Sequence, residues 1–404
     1  MDSLSVYRGV NSRSISKALY ALLCADDAEP SEFVSAWGAF FSRLAERGYT
    51  DSLLRCMTKA ALFDENAFSR ACCAKTADCL PPALISAAKR DIDIIMELGR
   101  VTPEQLLEDY KYREELCDIA DSLPRWSAGE PVEELSGKDA VKGLMDYYHK
   151  NGFGTFARYR AFIWRDRGLR PVEYPDSISI SGLTGYEIPR GKVVDNTTAF
   201  LRGARCNNVL LYGDRGTGKS STVKAILNEY CSEGLRMVEM PKDKLAEFPM
   251  LVERLAPLPL KFIIFIDDLS FNEDDKSYAW LKAVLEGGLA VRPDNTLIYA
   301  TSNRRHLIKE SFSDREGDDL HRNDTIQETL SLSDRFGLSV LFAKPDKDEY
   351  LSIVSELAQS RGIEADDRLL SLAESFAITR AGRSPRCARQ FIASIEAELA
   401  NEKR

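Results

Sequence analysis

Gly213-Asp214-Arg215-Gly216-Thr217-Gly218-Lys219-Ser220 is the stretch that decides the fold. It fits the phosphate-loop pattern G-x-x-x-x-G-K-[ST]. A random chain of this length holds such a match about 1–2% of the time. The flanks have the order that the loop needs: an apolar run, Val209–Tyr212, precedes it, and a helical stretch, Ser221–Tyr230, follows. Glycines let backbone N–H groups converge on phosphate oxygens without Cβ clashes. The helix N-terminus adds its positive dipole end. Lys219 is long enough to reach the β- and γ-phosphates, and Ser220 can set a hydroxyl on Mg²⁺. Gly213, Asp214, Arg215, Gly216, Thr217, Gly218, Lys219, Ser220 and Ser221 are therefore expected to bind a nucleotide's phosphates. The bland alternative is a Gly-rich turn with no ligand.

Further along, Lys261–Ile266 is an apolar run that ends in Asp267-Asp268. A buried strand beside the loop would deliver these acids to its C-terminal edge. Asp267 is expected in the metal shell, through water. Asp268 is expected to orient or deprotonate the attacking water. The next run, Thr296–Ala300, leads into Thr301-Ser302-Asn303. A polar side chain there can reach the γ-phosphate and the water; Asn303 is the first choice and Thr301 the second. An Asn that merely turns the chain is the alternative.

Short Val- and Ile-rich runs alternate with helical stretches from Leu183 onward: Val209–Tyr212, Leu235–Met240, Phe262–Ile266, Thr296–Ala300 and Leu338–Phe342. Five strands alternating with helices predict a parallel sheet covered on both faces. The first 123 residues read as helical. Phe33, Trp37, Phe40, Phe41 and Leu44 share one helix face, and Leu84, Ile92, Ile95 and Leu98 suggest another. Pro124–Pro131 and Leu169–Ile180 read as linkers, with a helical stripe at Val141, Leu144, Met145 and Tyr148 between them. After Pro345 the stripes Leu351/Val354/Leu357/Ala358, Leu369/Leu372/Ala373/Phe376 and Ala388/Phe391/Ile392/Ile395/Leu399 predict a helical lid. The expected divisions are 1–123, a helical region; 124–182, linker and connecting helices; 183–344, the nucleotide-binding core; and 345–404, the lid.

The chain's 404 residues are 44% hydrophobic and 29% charged, which excludes a chain disordered throughout. No apolar run approaches the ~20 residues of a membrane span, and Met1–Val10 carries no secretory signal pattern. The net charge of −9 speaks against electrostatic coating of nucleic acid. Nine Cys with no Cys-x-x-Cys pair, Cys72, Cys73 and Cys79 clustered among them, and only His149, His306 and His321, speak against structural zinc. A cytoplasmic protein with reduced thiols is expected. The segment Phe153–Arg167 mixes basic and aromatic residues, as single-strand binders do. The simpler reading packs its aromatics and solvates its arginines.

The order of phosphate loop, Asp-Asp strand and a strand ending Ala-Thr-Ser-Asn resembles the AAA+ ATPase superfamily. That resemblance implies an α/β P-loop NTPase with a five-stranded parallel sheet, a C-terminal helical lid and ATP hydrolysis with Mg²⁺. Asn303 would then be the first sensor. Ser333–Gly337 resembles the segment that carries the arginine finger, here Arg335. Gly382-Arg383-Ser384-Pro385-Arg386 resembles the second-sensor motif; Arg386 fits best, and the extra residue after Gly382 keeps Arg383 open. A guanidinium can grip two oxygens of a cleaving γ-phosphate.

More narrowly, Gly152–Arg389 resembles a bacterial family of ATP-binding proteins, domain of unknown function 815. The strings are Asn207–Gly213, Phe265–Phe271, Leu285–Leu289, Tyr299–His306 and Ser331–Gly337. The resemblance places adenine near Leu183–Tyr186 and the C-terminal helices. No Asn-Lys-x-Asp string is present to read guanine, so ATP is expected over GTP.

The expected role is a homo-oligomeric ATPase that remodels or loads a macromolecular client, a protein rather than nucleic acid. The alternatives are a slow-hydrolysing binding switch that recruits a partner through its helical N-terminal region, and a nucleic-acid-associated loader. Pro241–Leu260 lacks the aromatic–apolar–Gly loop of peptide-threading rings. The acidic segment Ser313–Asp324 reads as a surface loop.

Overall fold

The computed structural model describes residues 1–73, 80–116, 118–137, 139–271, 276–286, 293–303, 334–380 and 382–402. Cys79, His306, His321, the acidic segment Ser313–Asp324 and parts of the strings Leu285–Leu289, Tyr299–His306 and Ser331–Gly337 lie outside the described residues. The chain divides into two compact units, 1–158 with 257–259, and 159–256 with 260–404. No helix among the described residues is long and apolar enough to cross a membrane.

The first unit is helical: α1 (Ser14–Leu23), α2 (Pro30–Arg47), α3 (Leu53–Leu62), α4 (Ala67–Cys73), α5 (Pro82–Gly99), α6 (Pro103–Asp109), α7 (Ala140–Asn151) and α8 (Gly154–Arg158). Helix α2 shows why. Phe33, Trp37, Phe40 and Leu44 recur on one face and are fully buried. Pro30 starts the helix, and Gly48 ends it in the left-handed region. The stretch Pro124–Pro131 is extended and docked: Trp126 is buried, and its indole donates to the Val101 carbonyl.

A buried carboxylate clamps the N-terminal segment. Asp91 on α5 accepts from the backbone N–H groups of Ser5, Val6 and Tyr7 at 2.9, 2.6 and 3.0 Å, and from the Ser5 hydroxyl. Asp91→Ala would strand the buried Tyr7 N–H, at about 1–3 kcal/mol, and remove the charge-assisted bonds of the more exposed Ser5 and Val6, at about 1.5–3 kcal/mol each. We expect a loss of about 3 kcal/mol or more in the unfolding free energy, read by urea denaturation. An unchanged midpoint would refute this account of the clamp.

The second unit is built on a sheet in the order β2-β1-β4-β5-β6-β3-β7. Its elements are β1 (Ala161–Arg165), β2 (Gly168–Pro171), α9 (Glu187–Leu201), β3 (Val209–Gly213), α10 (Lys219–Tyr230), β4 (Leu235–Glu239), α11 (Phe248–Leu255), β5 (Lys261–Ile266), α12 (Lys276–Glu286), β6 (Thr296–Ser302) and β7 (Leu338–Phe342). Strands β5 and β6 are buried almost throughout, as expected for central strands of a parallel sheet.

The sheet has seven strands, not five. The additional pair lies in the segment read as basic–aromatic and linker. β1 runs parallel to β4, and β2 returns antiparallel through Asp166 and Arg167, both at positive φ. This two-residue turn matches the twist of paired strands. Phe162 and Trp164 point into the core and are buried, with the Trp164 indole donating to Glu247 at 2.7 Å.

Three helices complete the unit: α13 (Lys347–Ser360), α14 (Asp367–Thr379) and α15 (Pro385–Glu402). An Asp346/Glu349 capping box opens α13. Tyr350, Val354, Ala373, Ala388 and Phe391 form their shared core. Leu372 and Leu399, placed on the buried stripes by periodicity, are instead exposed at 48% and 41%.

Candidate active site

Three adjacent parallel strands, β5, β6 and β3, end at the same edge of the sheet. Their ends carry Asp267-Asp268, Thr301–Asn303 and the phosphate loop respectively. The loop leaves β3 and closes onto α10, whose first residue is Lys219. Gly213 is required here: φ is +130°, and a Cβ would stand 2.2 Å from the Phe342 carbonyl oxygen of β7. Gly216, at φ +80°, lies close to α15, where a Cβ would meet Arg386 at 3.2 Å.

Lys219 is buried. Its ammonium donates to the carbonyls of Gly213 and Asp214 at 2.8 and 2.7 Å, and to Asn303 Oδ1 at 3.4 Å. Burial lowers its pKa below the ordinary lysine value; Asp214, Asp268 and Asp267 oppose that shift, and Arg386 adds to it.

Ser220 Oγ donates to Asp267 Oδ1 at 2.6 Å. The Thr301 hydroxyl donates to the same oxygen and accepts from the Asp268 N–H at 2.9 Å. Asp268 has φ +50°, a conformation that Asp tolerates better than most residues. Its Oδ1 accepts from Asn303 Nδ2 at 2.6 Å. Asn303 therefore spans Lys219 and Asp268, accepting from one and donating to the other. Thr301, the second choice at this strand end, instead holds Asp267.

Among the described residues no group of three His, Cys, Asp or Glu side chains forms a metal site. Ser220 Oγ and Asp267 Oδ1 are hard oxygen donors side by side. This donor set fits Mg²⁺, which binds through one or two carboxylates with substrate phosphates and waters.

These residues line a cavity of about 420 Å³ with Arg215, Ser221, Arg386 and Arg389. The Arg386 backbone N–H donates to the Gly216 carbonyl at 3.2 Å. Arg383 is engaged elsewhere, paired with Glu374 of α14 at 2.5 Å, and holds that carboxyl below its ordinary pKa. Of the two arginines left open by the motif, Arg386 faces the cavity.

A second, narrow slot opens beside the first. Leu183, Thr184, Tyr186, Phe342, Leu357 and Pro385 are among its walls. Tyr186 stacks on Phe342 with ring centroids 5.4 Å apart, and its hydroxyl donates to the Ala343 carbonyl at 2.6 Å. Burial raises its phenol pKa. Arg190 fastens the strap before α9 by donating to the carbonyls of Gly185 and Ile180.

Arg335 lines neither cavity. It precedes β7, and the register Val209↔Leu338 to Gly213↔Phe342 puts it at the opposite end of the sheet. Four residue steps of strand, about 13 Å, separate that end from the loop.

The family described as "Protein of unknown function (DUF815)" matches residues 157–399. The chain belongs to this family. The match takes in the DUF815 chain's sheet, phosphate loop and nearly all of its last helix. No curated protein matches the chain in sequence.

Solved structures similar to it include the Holliday junction branch migration motor RuvB of Thermotoga maritima, 17% identical over 56% of this chain and 66% of that one, with a TM-score of 0.38. The Aeropyrum pernix ORC1 protein in complex with DNA is 15% identical over 57% and 63%, at 0.39. The replication initiator DnaA bound to AMPPCP and single-stranded DNA is 16% identical over 57% and 70%, at 0.39. The DUF815 core itself sets its loop after β3, its paired acids after β5 and Asn303 after β6.

Proposed function

We propose that this chain binds Mg·ATP at Gly213–Ser221 and hydrolyses it as an oligomeric AAA+ ATPase, coupling turnover to the remodelling or loading of a protein client. The observation that carries this reading is the convergence of Lys219, Ser220, Asp267, Asp268, Asn303 and Arg386 on one cavity at the sheet edge. A bound Mg²⁺ would neutralise charge on the β- and γ-phosphate oxygens, held by Ser220 and by Asp267 through water. Lys219 grips the same phosphates. Asp268 takes the proton of the attacking water, and Asn303 orients that water. Arg386 neutralises charge from the lid side.

In this reading residues 183–344 are the nucleotide-binding core and 345–404 its lid. The helical region 1–123 contacts partners. Arg335 acts on a neighbouring subunit's nucleotide.

The burial of Phe162 and Trp164 withdraws these two rings of the Phe153–Arg167 segment from any stacking surface, while Phe153, Phe156 and Tyr159 stay half-buried. The bond from Asn303 to Asp268 favours keeping one alternative, a slow-hydrolysing switch. While that bond stands, Oδ1 of Asp268 is occupied by a donor. A turnover assay across protein concentrations separates the two: a rate per subunit that climbs with concentration supports the oligomeric motor, and a slow, constant rate supports the switch.

Lys219→Met tests the binding site itself. Charge-assisted bonds to phosphate contribute about 1.5–3 kcal/mol each. With two such bonds lost, Mg·ATP affinity should fall about 10²–10⁴-fold by calorimetry. Unchanged affinity in a folded variant would overturn the reading.

A further inference from the structure

Two side-by-side cavities raise the question of what lies at their junction. The wide one has the chemistry for phosphates: Lys219, Arg215 and Arg386 on its walls, with the loop's backbone. The narrow one, about 20 Å³ as it stands, mixes the apolar side chains of Leu183, Leu357, Phe342 and Pro385 and the Tyr186 ring with polar Thr184 and Arg190, and a base enters it as these side chains part. Among the described residues only Gly218 and Arg389 line both. They mark the neck between the two spaces, the loop's backbone on one part of it and a guanidinium of α15 on another.

We infer that Arg389 is a nucleotide-binding residue that contacts the α-phosphate. The inference rests on the ATP reading of the site. A nucleotide is a linear chain of base, ribose, α-, β- and γ-phosphate. With its base in the slot and its outer phosphates in the wide cavity, the ribose and α-phosphate must pass through the neck. Of the groups at the neck, Arg389 alone has a charged fork, and a guanidinium binds phosphate oxygens two at a time.

The placement on α15 divides labour between two arginines. Arg386 and Arg389 are three residues apart, on one face of the helix. The Arg386 backbone is fastened to Gly216, inside the loop. Arg386 therefore serves the outer phosphates, and Arg389 the phosphate common to ATP, ADP and AMP. Among the described residues neither has a carboxylate partner, whereas Arg383 has Glu374. Both are exposed at the cavity wall, so substitution removes a ligand contact and not a core contact.

The test compares Arg389→Gln and Arg386→Gln with the wild-type chain by calorimetric titration of ATP and ADP with Mg²⁺. Arg389→Gln should weaken both nucleotides by the same factor, about tenfold. Arg386→Gln should weaken ATP and leave ADP within about twofold. Arg389→Lys should recover part of the loss, because it restores the charge without the fork. Nucleotide-free melting curves that overlay the wild type exclude a folding defect. The inference is overturned if Arg389→Gln leaves ADP affinity intact, or if it weakens ATP alone. A wild-type chain that binds neither nucleotide would sink the ATP reading itself, which distinguishes that failure from this one.

Discussion

Asp268→Asn should leave Mg·ATP bound and slow phosphate release by about 10²–10⁴-fold, the usual contribution of a positioned base. Asn keeps the shape of the side chain and its acceptor oxygen, so the 2.6 Å bond from Asn303 Nδ2 can persist. It cannot take a proton. Binding should survive because Lys219, Ser220 and Asp267 reach the loop without Asp268: the first is anchored on the Gly213 and Asp214 carbonyls, and the other two on each other. Calorimetry for binding and a phosphate-release assay for turnover read the two effects separately. Wild-type turnover in the variant would remove Asp268 from the proposed chemistry. A parallel loss of binding would recast it as a ligand of the nucleotide.

Arg335→Ala should lower the turnover of the assembled protein by about 10³-fold or more, the scale of arginine fingers in related phosphate chemistry. The physical ground is placement. Arg335 stands at the end of the sheet away from its own loop, so a role at phosphate requires a second copy of the chain. That requirement permits a mixing test. Arg335→Ala chains bind ATP but lack the finger, while Lys219→Met chains lack tight binding but still carry Arg335. Each is inactive alone, and a mixture should regain activity as mixed assemblies form. A mixture as inactive as its parts, with Arg335→Ala alone near wild type, would return Arg335 to an ordinary structural role.

Much of this arrangement was legible in the chain because its chemistry is written in short, contiguous motifs. The loop octet, Asp267-Asp268 and Asn303 each follow a short apolar run, and such runs announce central strands. What escaped depends on contacts between segments far apart in sequence. β1 and β2 are short and carry arginines, and their turn is Asp166-Arg167 rather than the Asn-Gly type that signals a hairpin. Leu372 sits at the margin of its helical stripe and Leu399 in the last turn of α15, where periodicity alone cannot tell core from solvent. At the site, the hold of Thr301 on Asp267 follows only from the pairing of β5 with β6. Arg389 had one available signal, its spacing of three from Arg386 on a helix. Nothing short of the fold could say that this face looks onto the loop.

The loop's tie to α15 has a twin just before α13. Asp214 Oδ2 accepts from the Lys344 N–H at 3.2 Å, and the Gly216 carbonyl accepts from the Arg386 N–H. Both ends of the stretch holding α13 and α14 are thus stitched to positions two residues apart in one loop. The α13–α14 stretch is thus joined to the phosphate loop at both of its ends.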